Sequence, residues 1–582
     1  MKSNKFIVLT IFSSIFLYST PIKEPNPIDK LIIEKTIKQD ENSSIVFEKF
    51  QSDLEEELTS KRHISKDIHH KRFLRRFYRQ NSYMPLWFKA DRLNHDKLST
   101  LFKEIENDLT LNPKDKIYKR YKYISQYIKQ KKIKKSHIEL QLTELYFEFL
   151  NHILYGSINW KKFSSKLTHM RKRGLAGYWV RYKPKYSVSE LLLQPNIHNT
   201  IEEITPKRFG YRGLLKSLKI LKNIKAKGGW KELPYFKKLE LGDKGLTVVK
   251  LRERLEASGD LNVCQVKPEN LFEKDEVVSD SIVKFQPRAI FDSCLEDAVK
   301  KFQARHGLES DGIVGSGTRK TLNITLASKI KTVILNLDRI KWLPRENDKR
   351  YIVVNIPEYM LHFIENKKEI ETIKVIVGNK KHHTPIFREK ISYIVLNPYW
   401  KVPAGIVRKE IIPHMIRNRN YIRKEGLQIR RTWFEKSARI NPNTIFWEDY
   451  YYGGIKFPYR IMQPPGPKNA LGKIKFKFPN RFNVYLHDTP TKRLFKKTRR
   501  AYSHGCIRVS EPQKLFETIA SFNNIDINKS KKILRGRNKV QLNIKNKIPV
   551  YIIYLTAGYN IISGKPEFRD DIYRYDKMQM QN

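Results

Sequence analysis

The chain of 582 residues is too long for one hydrophobic core, so its length predicts two to four domains. Hydrophobic residues make up 40% of it, which excludes a wholly disordered protein. The formal net charge of +54 leaves two interpretations open, attraction to a polyanion or a compositional bias towards lysine along the whole chain. The sequence carries no nucleic-acid recognition motif, and we therefore predict no nucleic-acid partner.

The N-terminus has the features of an export signal. Lys2 and Lys5 precede an apolar run over residues 6–18, which is shorter than the roughly 20 residues of a membrane-spanning helix. No clear cleavage site follows, so a cleaved signal and an uncleaved membrane anchor both stay open. We assign residues 1–22 to a signal peptide or anchor and expect an exported protein of the periplasm, soluble or singly anchored.

Residues 30–235 have a basic, helical pattern without any catalytic constellation. The clearest helix is "SHIELQLTELYFEFLNHILYG", in which Ser136 and Glu139 form a capping-box pair and Gly156 ends the helix. Its apolar positions recur at helical spacing: Ile138, Leu142, Leu145, Phe149 and Ile153. We interpret this region as a helical scaffold domain.

Residues 240–325 have a different pattern, in which two amphipathic helices are separated by glycine-rich turns. Their predicted inward positions are Val248, Leu251, Leu255, Leu295, Val299 and Phe302. The string "AVKKFQARHGLESDGIVGSGT" resembles the hallmark of the three-helix peptidoglycan-binding domain. An insertion at about 262–290 departs from that pattern, and a generic small helical bundle is the alternative.

From about 348 onward, β-branched and alternating runs such as "RYIVVNIPEYMLHFI" and "ISYIVLNPYWKVP" predict strands. A stretch at about 413–460, rich in charge and aromatic residues, interrupts them and is long enough to form a lid over a site. We predict a mainly β catalytic domain over 348–530 and a C-terminal extension over 531–582. The whole chain is therefore predicted to be a multidomain α+β protein.

The chain has only three cysteines, and Cys506 lies in the run "AYSHGCIRVS". A buried, inert cysteine is the alternative to a nucleophile. A thiol with an ordinary pKa of about 8.5 is only a few per cent ionised at neutral pH, so a nucleophile needs a base in space. His504 is close in sequence, but His487 in "VYLHDTP", at a predicted strand end, is the better candidate. Asp488 after it is expected to support the local network or, more simply, to form a turn.

Gly505 allows a tight turn, so the amides of His504, Gly505 and Cys506 could converge on an oxyanion. Arg508 alternates onto the same side as Cys506 and could hold a substrate carboxylate, although an exposed arginine is equally expected.

His487 followed by Ser503-His504-Gly505-Cys506 resembles the L,D-transpeptidase signature of the YkuD type. The strings "VNIPEYMLHF", "VLNPYWKVP" and "QPPGPKNALGKIKF" are similar to its large YcbB-like branch, which combines a helical scaffold, a peptidoglycan-binding module and a lidded catalytic domain. The resemblance covers roughly residues 240–530.

The resemblance implies a peptidoglycan cross-linking enzyme. Cys506 would attack the carbonyl of the third stem residue, form a thioester and pass the acyl group to an amine of another stem, with His487 as base and then acid. Supporting or substrate-binding roles are implied for Ser503, Arg508, Tyr485, Asp488 and Trp400. Carbapenems would acylate Cys506. Neither a cofactor nor a metal is implied, since the reaction needs none and the sequence has no zinc-ligand spacing; the pair His382-His383 is expected to be a solvated loop.

Three alternatives stay open: an L,D-carboxypeptidase, an enzyme that attaches a protein to peptidoglycan, and a non-catalytic wall-binding scaffold. The oligomeric state also stays open. Cys264 and Cys294 flank the insertion, and in an oxidising compartment they could form a disulfide that leaves Cys506 as the single free thiol; two separate thiols are the alternative.

Overall fold

The computed structural model describes residues 45–59, 67–89, 92–130, 134–261 and 287–580. The predicted signal segment and most of the predicted insertion lie outside these ranges. The chain divides into two compact units, one comprising residues up to 105, 113–148 and 192–198, and the other the remainder. Within the described residues, no helix has the length and apolar character needed to cross a membrane.

The helices of the described residues are as follows. They are α1 (45–59), α2 (Lys71–Gln80), α3 (His95–Asn107), α4 (Lys116–Tyr127), α5 (Lys135–Tyr155), α6 (Trp160–Lys172), α7 (Val188–Leu192), α8 (Ile197–Ile204), α9 (Tyr211–Ala226), α10 (Leu246–Ala257), α11 (Ser293–Arg305), α12 (Ser316–Leu322), α13 (Leu326–Lys341), α14 (Ala404–Ile406), α15 (Ile412–Arg417), α16 (Tyr421–Lys424), α17 (Trp447–Tyr451), α18 (Pro512–Ser521), α19 (Ile527–Arg535) and α20 (Tyr575–Met580).

The strands of the described residues are as follows. They are β1 (Phe88–Lys89), β2 (Arg92–Leu93), β3 (Arg350–Asn355), β4 (Met360–Glu365), β5 (Lys368–Gly378), β6 (Phe387–Leu396), β7 (Trp400–Lys401), β8 (Gln428–Arg430), β9 (Arg439–Ile440), β10 (Arg460–Gln463), β11 (Ile474–Lys477), β12 (Leu486–His487), β13 (Ala501–Ser503), β14 (Ile507–Val509), β15 (Val540–Ile553), β16 (Ala557–Asn560) and β17 (Lys565–Phe568).

The predicted scaffold region is shared between the two units. Phe163, Leu167 and Trp179 join Trp342 in the core of the catalytic sheet, so apolar burial draws residues 149–191 into the second unit. The region predicted as a scaffold domain at 30–235 is therefore divided between two compact units in the structure. The capping box is also wrong: α5 begins before Ser136, whose hydroxyl donates to Glu57 instead.

Helices α10, α11 and α12 enclose their own apolar core in the region of the predicted peptidoglycan-binding module. Its inward positions are buried as predicted: Val248, Leu251, Leu255, Leu295, Val299 and Phe302. Gln303 explains the polar part of the string, because its amide donates to Asp311 at 2.7 Å and accepts from the Gly312 amide at 2.9 Å. The side chain thereby ties α11 to the following turn.

Nine strands form the catalytic sheet in the order β13-β5-β14-β12-β11-β6-β15-β3-β4. A further pairing of β5 with β4 closes eight of these strands into a ring, and β13 adds to β5 from outside it. The β12–β14 pair is parallel, whereas β11 pairs with β12 and β6 antiparallel. The alternating apolar residues of these strands form the main core, onto which α18 packs.

The sheet continues beyond the predicted end of the catalytic domain at 530. Strand β15 pairs with β6 on one side and β3 on the other, so it lies inside the sheet. The predicted C-terminal extension is therefore corrected to be part of the catalytic fold, because its run Ile548–Ile553 is fully buried.

The segment between β6 and β11 forms a small subdomain, which we call the lid. Strands β7, β10, β8 and β9 make a four-stranded sheet, and α14 to α17 pack on it around the buried Trp447 and Met415. The lid has its own hydrophobic core, which the charged and aromatic pattern of 413–460 did not predict.

Candidate active site

Strand register brings the main candidate residues to one face of the sheet. In the parallel pair of β12 and β14, His487 lies opposite Arg508, and the Ile507 amide donates to the Tyr485 carbonyl at 3.1 Å. Because side chains alternate along a strand, Tyr485, His487, Cys506 and Arg508 share a face, while Leu486 and Ile507 point into the core. The thiol and the imidazole are thus diagonal neighbours on adjacent strands.

His487 is held as a neutral base. Its ring is buried, and Nδ1 donates to the Asp488 carbonyl at 2.5 Å, which leaves Nε2 without a proton and able to accept one. Burial, and after it the neighbouring Arg508 charge, lower the pKa of His487 to about 3. The imidazole is therefore uncharged at neutral pH.

Cys506 is a free, half-buried thiol in the turn between β13 and β14. Its sulfur lies 3.8 Å from the Asn483 carbonyl oxygen. Burial raises the pKa of the Cys506 thiol, whereas hydrogen bonds from Tyr485 and the charges of Lys475 and Lys477 lower it. The thiolate thus depends on these neighbours.

The turn that carries Cys506 is fixed by Ser503. The Ser503 hydroxyl donates to the Cys506 carbonyl at 2.5 Å and accepts from the Gly505 amide at 3.1 Å. Gly505 has φ +108°, a conformation that favours glycine, so the turn requires a residue without a side chain there. Buried Thr384 donates to the Gly505 carbonyl at 2.9 Å and anchors the turn from outside.

The oxyanion hole has fewer available amide donors in the structure than the three predicted from the sequence. The Gly505 amide is already engaged by Ser503. Within the described part of the chain, the amides of His504 and Cys506 have no protein acceptor, so these two donors are left for a substrate oxygen.

Asp488 acts through its main chain and its local turn. Its carbonyl orients His487, while its carboxylate accepts from the Lys473 amide at 2.9 Å, the Thr489 amide at 2.7 Å and Lys492 at 2.7 Å. The expected turn role thus describes its side chain. Trp400 lies in a different sheet, since β7 pairs with β10 of the lid.

The loop after β5 and the C-terminal residues brace the catalytic turn. The Tyr573 hydroxyl donates to the Gly378 carbonyl at 2.7 Å, and its ring stacks on His383 at 3.9 Å. His383 is buried, and burial lowers its pKa to about 4, so the expectation of a solvated His382-His383 loop is wrong for His383. The buried Tyr575 hydroxyl forms a hydrogen bond with Nδ1 of the His383 ring at 2.9 Å.

The lid contacts the catalytic turn through His504. His504 Nε2 lies 2.6 Å from the Glu410 carboxylate, in the π-helical stretch Val407–Ile411 between α14 and α15. The His504 ring also lies 4.6 Å from the His382 ring. The side chain of His504 thus faces the lid, while its amide faces the turn.

Sequence reasoning missed Lys475, Thr384 and Glu410. Lys475 alternates with Lys477 in "IKFKFP", and charged residues on one face of an otherwise apolar strand are a detectable signal. Thr384 and Glu410 lie far from the motif in sequence, and no local pattern distinguishes them from ordinary loop residues.

Among the described residues, one group of side chains has the geometry to hold a metal ion. His70, Glu144 and Glu148 bring ligand atoms within 4.8 Å of one another, in the first unit rather than in the unit of Cys506. Arg120 pairs with both carboxylates and already compensates their charge. The group is therefore explained as an ion-pair network.

Three segments of the chain match protein families. Residues 349–543 match YkuD, the L,D-transpeptidase catalytic domain; residues 72–218 match the scaffold domain; and residues 245–322 match the "Putative peptidoglycan binding domain". The chain thus carries a domain that matches the YkuD L,D-transpeptidase catalytic domain, together with one that matches a peptidoglycan-binding domain. The resemblance and the multidomain α+β architecture predicted from the sequence are confirmed.

The relatives agree with this class. A protein of Haemophilus influenzae named "Putative L,D-transpeptidase" is 32% identical over 260 residues, which are 45% of this chain and 50% of that protein. The chain therefore spans half the length of this curated relative. Two solved L,D-transpeptidases are also similar, but only distantly. The one from Xylanimonas cellulosilytica is 13% identical and has a TM-score of 0.16, with 55% of this chain and 100% of that chain covered. The one from Stackebrandtia nassauensis is 15% identical and has a TM-score of 0.20, with 55% of this chain and 96% of that chain covered.

Proposed function

We propose that this protein is a peptidoglycan L,D-transpeptidase that links third-position stem residues through a thioester on Cys506. The observation that supports it best is the register of β12 and β14, which puts a neutral imidazole and a free thiol on the same face. A base that is neutral at rest, and so able to accept a proton, and a nucleophile beside it are the requirements of thiol acyl transfer.

In the first half-reaction, the Cys506 thiol gives its proton to Nε2 of His487, and the sulfur attacks the carbonyl carbon of the third stem residue. The oxygen of the tetrahedral intermediate is held by the amides of His504 and Cys506. The C–N bond to the terminal D-Ala then breaks, and the imidazolium returns its proton to the leaving amine. A thioester and free D-Ala result.

In the second half-reaction, the side-chain amine of another stem attacks the thioester carbonyl and loses a proton to His487. The C–S bond breaks, the sulfur recovers its proton, and a peptide bond joins the two stems. The hydrogen bond from His487 to the Asp488 carbonyl keeps the ring oriented through both halves.

The remaining candidate residues have supporting parts in this proposal. Ser503 holds the turn, Tyr485 donates to the sulfur, and Arg508, half-buried on the catalytic face, pairs with a substrate carboxylate. Trp400 lines the approach from the lid side, since β7 belongs to the lid sheet.

We further propose where the protein works. Export through residues 1–22 places it in the periplasm, and the domain at 245–322 holds it on glycan strands. The reaction serves cell-wall assembly and cell shape, and a carbapenem mimics the donor by acylating Cys506.

One product analysis distinguishes the transpeptidase from the L,D-carboxypeptidase, the protein-attaching enzyme and the non-catalytic scaffold. Purified protein is incubated with disaccharide-tetrapeptide, and the products are identified by mass spectrometry. A cross-linked dimer supports the transpeptidase, whereas tripeptide alone indicates the L,D-carboxypeptidase, and a product formed only when a protein amine is supplied indicates protein attachment.

If no product forms and Cys506→Ala binds sacculi as well as wild type does, the protein is a wall-binding scaffold. Cys506→Ala is the matched control in every arm, because it removes the thiol and little volume.

A further inference from the structure

Two lysines of β11 face the catalytic thiol across the strand that carries His487. Lys475 is the Cα partner of His487, and Lys477 lies two residues further along the same face. Nζ of Lys475 lies 4.0 Å from the centroid of the Tyr485 ring, and Nζ of Lys477 lies 5.4 Å from it. Tyr485 lies beside Cys506, because the residues that follow them, Leu486 and Ile507, are paired between β12 and β14. Both ammonium groups are therefore close to the sulfur.

The resting site needs such a charge. Burial and the Arg508 charge lower the pKa of His487 to about 3, so the imidazole is neutral and offers no positive charge to a thiolate. Burial also raises the pKa of the Cys506 thiol. A thiolate in this turn therefore requires another source of positive charge or hydrogen bonding.

We propose that the Lys475 ammonium, together with the Tyr485 hydroxyl, stabilises the Cys506 thiolate and so sets the fraction of the enzyme that can attack. Lys475 is half-buried, so its attraction to the sulfur is screened less than that of a surface lysine. It acts on the sulfur through space and is a positioning residue rather than one that binds substrate. The inference rests on the proposed function in taking Cys506 as the nucleophile.

Tyr485 is suited to its part in this pair. Burial raises the pKa of its hydroxyl well above the ordinary value, and the Cys506 charge raises it further. The hydroxyl therefore keeps its proton and donates it as a hydrogen bond to the sulfur, while the Lys475 charge lies over the ring face.

Lys475 is itself titratable near physiological pH. The titratable and charged groups that face this cluster come from four strands and the residues beside them. They are Lys475 and Lys477 of β11, His487 of β12 with Tyr485 just before it, Arg508 of β14 with Cys506 just before it, and Lys401 of β7. Burial, together with the repulsion of Lys477 and Lys401, lowers the pKa of Lys475, and the opposing attraction of a Cys506 thiolate raises it; the balance of these effects puts that pKa at about 8. Each of the two charges therefore favours the charged form of the other group.

The test measures thiol ionisation directly in the full-length protein. Iodoacetamide forms an S–C bond with the thiolate and releases iodide, and mass spectrometry of the peptide containing Cys506 gives the alkylation rate from pH 5 to 10. Lys475→Met is compared with Lys475→Arg, which keeps the charge, and with Lys390→Met, a matched loss of an exposed lysine on β6. Circular dichroism checks that each variant is folded.

We expect Lys475→Met to raise the apparent pKa of Cys506 by at least about one unit, which slows alkylation at pH 7 about tenfold. The alkylation rate of Lys475→Arg should stay within about threefold of the wild-type rate, and the rate of Lys390→Met should equal the wild-type rate. Unchanged alkylation in folded Lys475→Met overturns the proposal. If Lys475→Met does not fold, Lys475→Gln is used with the same criteria, and Tyr485→Phe independently tests the hydroxyl.

The alkylation readout does not depend on acyl transfer. If Lys475→Met alters alkylation as expected and wild type forms no acyl product, the proposed function fails while the role of Lys475 stands. If wild type cross-links stems and Lys475→Met alkylates normally, the function stands and the role of Lys475 is refuted.

Discussion

Replacing Thr384 by valine should loosen the catalytic turn, although the side-chain volume at position 384 stays nearly the same. The Thr384 hydroxyl is fully buried; it donates to the Gly505 carbonyl at 2.9 Å and accepts from the Gly378 amide at 2.8 Å. Valine has the same shape but makes neither hydrogen bond. Two buried backbone groups would then lack partners, at a cost of about 1–3 kcal/mol each.

The lower bound of that cost, about 2 kcal/mol for the pair, corresponds to about a 30-fold rise in local opening. Hydrogen–deuterium exchange in peptides covering residues 501–510 measures this opening directly. Because the amides of His504 and Cys506 lose their fixed position, kcat for acyl transfer should fall at least about tenfold, with little change in KM.

Thr384→Ser is the matched control, since it keeps the hydroxyl. If Thr384→Val and Thr384→Ser exchange at the same rate and turn over equally, the Thr384–Gly505 hydrogen bond has no part in holding the turn, and the reasoning is refuted.

Three further predictions concern His487, the lid and the cysteines. His487→Gln should cut acyl transfer at least about a hundredfold. The pKa of His487 is 6.5 in the unfolded chain and about 3 in the folded protein, so its contribution to the free energy of unfolding is full above pH 6.5 and is lost as the pH falls to 3, by up to about 1.4 kcal/mol per pH unit. In urea denaturation at a series of pH values, the free energy of unfolding of His487→Gln should therefore fall less steeply between pH 6.5 and 3 than that of wild type; an identical slope contradicts this. Glu410→Gln weakens a half-exposed contact between the Glu410 carboxylate and His504 Nε2. It should change the free energy of unfolding by less than about 1 kcal/mol, yet raise hydrogen exchange in α15; unchanged exchange there argues against a lid contact. Thiol counting under denaturing, non-reducing conditions should find one reactive thiol, that of the free Cys506, because we expect Cys264 and Cys294 to be bridged. Three reactive thiols would rule out the bridge.

Much of the catalytic face could be predicted because its signals are local. His487 and Cys506 lie on adjacent strands, and the alternation of side chains in "VYLHD" and "GCIRV" already indicates which residues share a face. The helices around Val248 and Phe302 were predictable for the same reason, since apolar spacing within one helix defines its buried side.

The errors came from contacts between distant segments. Strand β15 joins the sheet although about 30 residues separate it from β14, and only pairing with β6 and β3 reveals this. His383 resembles a loop residue in sequence, but Tyr573 and Tyr575, almost 200 residues later, cover it. The Cys264–Cys294 pairing stays a prediction, because Cys264 lies outside the described residues.

The Gly505 amide illustrates a different limit. Its residue type and its place in the motif are compatible with an oxyanion hole, and only the orientation of the Ser503 hydroxyl shows that its hydrogen is already used. Such a distinction depends on a rotamer, which no sequence pattern encodes.

The most direct test of the central claim is to trap the acyl-enzyme. Full-length protein is mixed with disaccharide-tetrapeptide, quenched in acid within one turnover, and digested for mass spectrometry of the peptide that contains Cys506. We predict an added mass equal to the donor minus D-Ala on Cys506 and none in Cys506→Ala. Turnover that persists in Cys506→Ala, or an adduct on a different residue, would contradict it.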